Sequence, residues 1–212
     1  PHFGPGADGR GVGAVTVWKY CGSHGSIGYN DRMPLHYDLH THSLASDGTL
    51  SATELVQRAV AAGIDVLALT DHDSIDGLAE ARAAAAGQPL RLIAGVEVSV
   101  TWNAQTVHIV GLNVDPENAD FCAGLLSLQS FRDWRAEEIG RRLAKAGIPD
   151  AYAGARRFAR GRIVSRTHFA HFLVEQGRAR SLREVFKKFL VRNKPGHVPG
   201  EWTNLEQAVG WI

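Results

Sequence analysis

The strongest constraint on the fold is an alternation of strand-like and helix-like segments that begins at residue 35. Strand patterns occur at "HYDLHTH" and "IDVLALT", and helical patterns follow them at "SATELVQRAVAAG" and "SIDGLAEARAAAAG". The first helical pattern has Ser51 and Glu54 at capping-box spacing and Gly63 at its end. Alternation at about 30 residues per unit predicts parallel βαβ architecture, either a barrel or an open sheet.

Two further strands are predicted without a helix between them. "LRLIAGVEVSV" and "TVHIVGLNV" are separated by "TWNAQ", which predicts a hairpin. The strand pattern is then lost, and helices are predicted around "LLSLQSFRDWRAEEIGRRLAKAG", "RTHFAHFLVEQG" and "SLREVFKKFLV". We therefore interpret residues 35–116 as the first part of an α/β domain and residues 117–200 as a mainly helical insertion domain.

The two ends of the chain differ from this pattern. Residues 1–34 are rich in glycine, show little periodicity and contain the only methionine, Met33, so we expect an extension outside the domain. "TNLEQAVGWI" has Thr203 and Glu206 at capping-box spacing, at the start of an amphipathic helix that the chain end interrupts. A closed α/β barrel needs about eight strands, so we expect a truncated barrel in which residues 201–212 begin a returning segment.

Composition favours a globular cytoplasmic protein without a membrane segment. Hydrophobic residues make up 44% of the chain, no apolar run is long enough to span a membrane, and Cys21 and Cys122 lack CxxC partners. A reducing compartment fits this cysteine content best. Charge is unevenly distributed, since residues 1–130 hold 6 Lys+Arg and 14 Asp+Glu, whereas residues 131–194 hold 17 and 6. The basic segment could bind an anionic substrate, or its arginines could simply solvate helix surfaces.

Histidines and carboxylates occur where the predicted strands end. Six residues share this placement: His40, His42, Asp47, His72, Glu97 and His108. Because active sites of α/β barrels lie at the carboxyl ends of the strands, we expect these side chains to converge. Imidazole mixed with carboxylate suits Zn, Mn or Fe, and a shared carboxylate such as Glu97 can bridge two ions. A lone buried histidine is usually a core residue, but this combination favours a metal site.

Three aspartates beside these ligands are candidates for a supporting role. Asp38, Asp71 and Asp73 could each fix the tautomer of a neighbouring histidine. Asp73 could instead cap the helix that follows it.

The motifs "DLHTHS", "SDG", "LTDHDS", "GVEVS" and "VHIVG", in this order, resemble the PHP (polymerase and histidinol phosphatase) family of metal-dependent phosphoesterases. In the helical part, "FRDWRAEEIGRRLAKAGIP", "VSRTHFAHFLVEQGRA" and "VFKKFL" resemble the subgroup that acts on nucleoside 3′,5′-bisphosphates or RNA. The resemblance covers about residues 35–212. It implies an α/β fold, a distorted TIM-like (β/α)7 barrel that is incomplete here, with a helical insertion domain.

The resemblance also implies up to three Mn²⁺ ions, for which Zn²⁺, Fe²⁺ or Mg²⁺ could substitute. It assigns His40, His42 and Glu97 to one ion. Asp47 and His72 are assigned to a second ion, and Glu97 with His108 to a third. Three further family ligands, in "AHPGR"-like and "SDFH"-like motifs, do not occur in this chain. Since each ion wants about four to six ligands, we expect this chain to bind metal weakly and its full-length gene product to be the enzyme.

The activity implied is hydrolysis of a nucleoside 3′,5′-bisphosphate at its 3′-phosphate, or release of nucleotides from the 5′ end of short 5′-phosphorylated RNA, by metal-activated water. Five basic residues of the insertion are candidates for holding the other phosphate: Arg132, Arg135, Arg166, His168 and Lys187. Arg132 and Arg135 are three residues apart on a predicted helix and so lie on one side of it. Two alternatives stay open, another PHP activity such as histidinol-phosphate hydrolysis, and a non-catalytic fragment that binds RNA or phosphate.

Overall fold

The computed structural model describes residues 14–16 and 35–212. The described strands are β1 Ala14–Thr16, β2 Tyr37–Thr41, β3 Val66–Leu69, β4 Arg91–Trp102, β5 Gln105–Leu112 and β6 Thr203–Asn204. The described helices are α1 Ala52–Ala61, α2 Leu78–Ala85, α3 Ala119–Lys145, α4 Ala151–Arg156, α5 Arg166–Glu175, α6 Leu182–Val185, a π-helix Phe186–Leu190 and α7 Leu205–Trp211. Among them, none combines the length and the apolar character that a membrane crossing would require.

The sheet has the strand order β1-β5-β4-β3-β2, and β6 also pairs with β4. β2, β3 and β4 are parallel neighbours connected through α1 and α2, which confirms the predicted βαβ architecture. β5 runs antiparallel to β4, as the short "TWNAQ" connection predicted. The two turn residues, Asn103 and Ala104, have φ values of 47° and 57°, the left-handed backbone that a tight two-residue hairpin requires.

β4 is the strand on which the rest of the fold is assembled. Residues 91–94 pair with β3 and residues 100–101 pair with β6, while residues 95–102 pair with β5. Alternate residues of a strand face opposite sides of the sheet. Val96, Val98 and Val100 are fully buried in a core with α3 and α7, so Glu97 and Ser99 are directed to the other side.

Two more hydrophobic cores stabilise the elements around this strand. One lies between β3 and the helices α1 and α2. The other joins the second half of α3 to α4, α5 and α6, and it includes the fully buried Leu143, Phe169 and Leu173. This separate core is consistent with a helical insertion, although the division of the chain into domains stays an interpretation.

The predicted capping box at the start of α1 is present. The Ser51 hydroxyl accepts a hydrogen bond from Glu54 N–H, and the Glu54 carboxylate accepts one from Ser51 N–H. The capping box predicted at Thr203 is wrong, because Thr203 pairs in β6 and the Asn204 side chain caps α7 by accepting from Gln207 N–H. The helix predicted from residue 74 begins only at Leu78, after Gly77.

A short strand lies within the segment that we expected to be outside the domain. β1, Ala14–Thr16, pairs in parallel with residues 108–110 of β5. The other residues up to 34 lie outside the described part of the chain, so the expected extension stays a prediction.

Candidate metal centre

Backbone pairing brings the ends of β2 and β3 against the middle of β4, so Glu97 lies within its strand and not at the expected strand end. Thr41 N–H donates to Thr70 Oγ1 at 3.1 Å, and Thr70 N–H donates to the Thr41 carbonyl at 2.9 Å, which joins the ends of β2 and β3. Beyond β3, His72 forms a parallel bridge with Glu97 of β4. Asp73 N–H also donates to the Glu97 carbonyl at 3.0 Å. The segments that carry His40, His42 and His72 are thereby held against β4.

Four histidine nitrogens surround the carboxylate of Glu97. His40 Nε2 and His42 Nε2 lie 2.9 and 3.0 Å from Glu97 Oε2. His72 Nδ1 lies 3.4 Å from the same oxygen, and His108 Nδ1 lies 3.5 Å from Oε1. β5 places His108 here because it pairs with Ser99, two residues from Glu97 on the same face of β4. The carboxylate is therefore shared by side chains from β2, β5 and the segment after β3.

Asp47 extends this cluster on the side of the loop after β2. Its Oδ1 atom lies 3.9 Å from both His42 Nδ1 and His72 Nε2. Ligand atoms within 4.8 Å of one another form three groups: His40, His42 and Glu97; His42, Asp47 and His72; and His72, Glu97 and His108. The six predicted ligands therefore lie close together. The three groups contain the ligands that the resemblance assigns to each of three ions, and in addition His42 belongs to the first two groups and His72 to the last two.

The chemistry of the cluster fits a divalent cation. Nδ1 of His72 and Nδ1 of His108 are buried without a hydrogen-bond partner in the described structure, and leaving such atoms unpaired is unfavourable. Burial is the largest effect on both histidines and lowers their pKa; burial and the nearby Arg132 charge together outweigh the opposite effect of Glu97. Both rings are therefore neutral at pH 7 and keep a lone pair for a metal ion.

Glu97 is ionised in this environment. Burial raises the pKa of its carboxyl, but hydrogen bonds with His42 and His40 hold that pKa well below its usual range. A buried carboxylate among imidazole nitrogens is a donor set that Mn, Fe or Zn accepts.

Asp71 supports the loop after β2. It is buried and accepts hydrogen bonds from Ser43 N–H at 2.7 Å, Ser43 Oγ at 2.6 Å and Ser46 Oγ at 2.6 Å. Ser46 Oγ in turn lies 3.5 Å from His42 Nδ1. Asp71 therefore holds the Ser46 hydroxyl beside His42. It does not itself make the hydrogen bond to a histidine that would fix the tautomer of that histidine directly.

The other two supporting aspartates also differ from expectation. Asp73 does not cap α2; its carboxylate accepts from Ser99 N–H and from Arg132 Nε, each at 2.6 Å, and so it positions an arginine. Asp38 is exposed and has no hydrogen bond to a histidine among the described residues. The pairing of β2 with β3 loses its regular register between Asp38 and Thr41, so the alternation that would place Asp38 beside His40 is interrupted.

A cavity of about 190 Å³ lies beside the cluster and is lined by Asp47, His72 and His108 together with three arginines: Arg132, Arg135 and Arg166. We call it the arginine cavity. Arg132 Nη2 donates to Ser99 Oγ at 2.9 Å, and Arg135 donates twice to the Val198 carbonyl, at 3.1 and 2.9 Å.

Trp202, the residue directly before β6, also lines the arginine cavity. The guanidinium carbons of Arg132 and Arg135 lie 5.0 and 5.4 Å from the centre of its ring, a distance typical of cation–π contacts. Sequence reasoning missed Trp202 because its position depends on the pairing of β6 with β4, for which the local sequence contains no signal.

The arginine cavity has an excess of positive charge. Burial, followed by the charges of Arg166 and Arg132, lowers the pKa of Arg135 to about 9, and burial with the Arg132 charge lowers the pKa of Arg166. Of the three, Arg132 is the one with a carboxylate ion pair in the described structure. With a pKa of about 9, Arg135 remains cationic at pH 7, so a bound anion would relieve the repulsion that Arg166 and Arg132 exert on it.

The remaining two basic candidates do not line the arginine cavity. His168 is buried, and its Nδ1 accepts from Ser165 N–H at 3.0 Å in a capping box at the start of α5. Lys187 is exposed on the π-helix, and the neighbouring Phe186 lines the cavity instead.

Comparison with known proteins places these features in a family. The model of the PHP domain matches residues 38–192. A 3′,5′-nucleoside bisphosphate phosphatase from Chromobacterium violaceum is 49% identical over 176 residues, which cover 82% of this chain and 62% of that protein. The 5′-3′ exoribonuclease Rnm from Escherichia coli is 48% identical over 178 residues, which cover 83% of this chain and 61% of the relative. The chain thus spans about three fifths of the length of these relatives.

A solved structure shows the same fold. An amidohydrolase from Chromobacterium violaceum, with bound sulfate and no metal, matches with a TM-score of 0.81 and 49% identity, over 84% of this chain and 63% of that one. The match confirms the predicted α/β fold with helices packed around a largely parallel sheet. Since the PHP-domain model covers most of the chain and the relatives are nearly half identical to it, this protein belongs to the PHP-domain family.

Proposed function

We propose that the full-length product of this gene is a metal-dependent phosphoesterase. It removes the 3′-phosphate from nucleoside 3′,5′-bisphosphates or releases nucleotides from the 5′ end of short 5′-phosphorylated RNA. The observation that carries the proposal is the contact between two sites, because His72 and His108 belong both to the candidate metal centre and to the lining of the arginine cavity. A substrate with two phosphates can therefore place one in each site.

The metal ligands in this proposal are His40, His42, Asp47, His72, Glu97 and His108, with Mn²⁺ as the ion that the family implies and Zn²⁺, Fe²⁺ or Mg²⁺ as alternatives. When bound, a divalent ion supplies Lewis acidity that lowers the pKa of a bound water to about 7. The chain provides the neutral imidazoles of His72 and His108, an ionised carboxylate that two groups share, and a backbone frame that joins the segments carrying them.

The arginine cavity holds the phosphate that does not react. Arg135 and Arg166 have no carboxylate partner in the described structure, so the N–H groups that Arg135 does not donate to the Val198 carbonyl, and those of Arg166, can bind the 5′-phosphate with charge-assisted hydrogen bonds. Hydrogen bonds to Asp73 and Ser99 hold Arg132 in place, and the Trp202 ring packs against the guanidinium groups of Arg132 and Arg135. Fixing one phosphate orients the ester bond at the metal centre.

The test is an assay of the full-length gene product with Mn²⁺ on adenosine 3′,5′-bisphosphate, histidinol phosphate and 5′-phosphorylated RNA oligomers. We expect metal-dependent release of phosphate from the first or of nucleotides from the third. Release from histidinol phosphate alone would assign the protein to a different activity of the family. Release from none of the three would refute the proposal.

A variant links the activity to the candidate metal centre. Glu97→Gln keeps the shape of the side chain but removes the charge shared by the histidines, and we expect Mn²⁺ affinity, measured by calorimetry, to fall at least about 10-fold to 100-fold. Glu137→Gln is the matched control, since Glu137 is exposed on α3 and does not line the arginine cavity. Equal affinities in the two variants would contradict the assignment of Glu97.

A further inference from the structure

A second cavity, of about 270 Å³, reaches the candidate metal centre by a different route. It shares only Asp47 and Thr167 with the arginine cavity. Thr167 Oγ1 donates to Asp47 Oδ2 at 3.2 Å, while Asp47 Oδ1 is the atom near His42 and His72. The Asp47–Thr167 pair therefore separates two cavities that both open at the same ligand group.

The lining of this second cavity combines aromatic rings with cations. Phe158 and His171 have ring centres 5.7 Å apart and planes inclined by 20°, so the two rings stack on each other. The Arg157 guanidinium lies 5.9 Å from the Phe158 ring centre, and its charge is paired with Glu175. Arg160 is exposed and has no carboxylate partner within the described ranges. We call this cavity the aromatic–basic cleft.

Aromatic rings beside a cation without a carboxylate partner are a combination found where proteins bind single-stranded nucleic acid. Bases stack on aromatic side chains irrespective of sequence, and arginines contact the phosphate backbone. The cleft lies between the loop after β2, which contributes Leu44 and residues 47–49, and the helical insertion, which carries 17 of the 23 basic residues of the chain. The charge of this region therefore supports a polyanionic ligand.

When the substrate is RNA, the proposed reaction leaves a second nucleotide to be accommodated beside the metal centre. A water oxygen forms a bond to phosphorus, the bond to the 3′-oxygen of the first nucleotide breaks, and a proton from the water ends on that 3′-oxygen. The phosphate stays on the 5′-oxygen of the second nucleotide. In a bisphosphate the reacting phosphate carries no second nucleotide. In RNA the reacting phosphate does carry a second nucleotide. This nucleotide needs a different place, because the arginine cavity already holds the 5′-phosphate of the first nucleotide.

We propose that the aromatic–basic cleft binds the nucleotide that follows the scissile bond of an RNA substrate. The inference rests on the proposed function and extends it, because it assigns RNA a binding site that a free bisphosphate does not use. After one cycle the shortened RNA carries a new 5′-phosphate, which has the chemistry that the arginine cavity accepts.

The experiment compares two substrates of the full-length gene product with Mn²⁺, the 5′-phosphorylated dinucleotide pApA and adenosine 3′,5′-bisphosphate. The readout is the ratio of kcat/KM for pApA to kcat/KM for the bisphosphate. We expect Phe158→Ala to lower this ratio about tenfold, the loss typical of one stacked base, and Phe158→Tyr to restore it. Arg183→Ala is the control, since Arg183 is an exposed arginine of the insertion that lines neither cavity.

Because Phe158 packs partly against the core of the insertion, Arg160→Ala provides a second variant at an exposed position. It should also lower the ratio and should weaken the salt dependence of pApA hydrolysis. An unchanged ratio in both variants would overturn the proposal. Wild-type protein that hydrolyses the bisphosphate but not pApA would overturn it while leaving the proposed phosphatase function intact, and hydrolysis of neither would overturn both.

Discussion

The buried ion pair between Asp73 and Arg132 allows a stability prediction that needs no metal or substrate. The Asp73 side chain is fully buried, that of Arg132 is 9% exposed, and Asp73 Oδ2 lies 2.6 Å from Arg132 Nε. Asp73→Asn keeps the shape of the side chain but leaves the arginine without a counter-charge. Removal of one partner of a buried pair typically costs about 3–5 kcal/mol. Since Arg132 lines an open cavity, we expect a loss of about 3 kcal/mol in the free energy of unfolding.

Urea unfolding followed by circular dichroism measures this loss. The matched control is Glu175→Gln, which breaks the exposed pair with Arg157 and should cost about 0–1 kcal/mol. Arg132→Met should cost about as much as Asp73→Asn, because it leaves a carboxylate buried and unpaired. The double variant should lose less than the sum of the single losses. Additive losses, or an Asp73→Asn loss no larger than that of the control, would refute the reasoning.

Three further predictions concern other parts of the molecule. Arg135→Ala should raise the KM for the bisphosphate by about 10-fold to 100-fold with little change in kcat, because a charge-assisted hydrogen bond is lost; an unchanged KM in steady-state kinetics would rule out anchoring. Gly154→Ala should lower the free energy of unfolding by about 1–3 kcal/mol, because the added Cβ would lie 2.3 Å from the Phe172 ring. Gly210→Ala is the control, since a Cβ at that position has open space around it, and equal urea midpoints for the two variants would contradict the prediction. Burial lowers the pKa of His168 from its ordinary value of 6.5, so the unfolded chain takes up the proton first and stability should fall as pH drops below about 6.5. His168→Gln should flatten that part of the stability profile, and identical profiles would contradict the assignment.

The candidate metal centre could be predicted from sequence because two kinds of information suffice. Local patterns identify the strands, and the pairing of parallel neighbours brings their residues together. "IDVLALT" is apolar throughout and forms a strand buried along its length, so the position of His72 after it follows directly. Glu97 lies between valines that alternate into the core, which identifies the face it occupies. Parallel pairing then brings both residues together, without any knowledge of the helices.

Contacts that depend on distant pairing could not be predicted in this way. Asp38 follows the expected alternation only if β2 keeps a regular register, and that register is interrupted after it. Asp73 was predicted near a histidine from its position in the chain, yet its partner is Arg132 on α3, whose approach depends on how the insertion packs. Trp202 likewise reaches the arginine cavity only because β6 pairs with β4.

β4 carries successive parts of the site on residues of one face. Glu97 lies in the candidate metal centre, Ser99 accepts from Arg132, and Thr101 accepts from the backbone N–H of Trp202. Alternate residues of a strand are about 7 Å apart, a distance that covalent geometry keeps constant. β4 therefore sets the separation between the candidate metal centre and the arginine cavity, so any substrate that occupies both must match a spacing that a single strand defines.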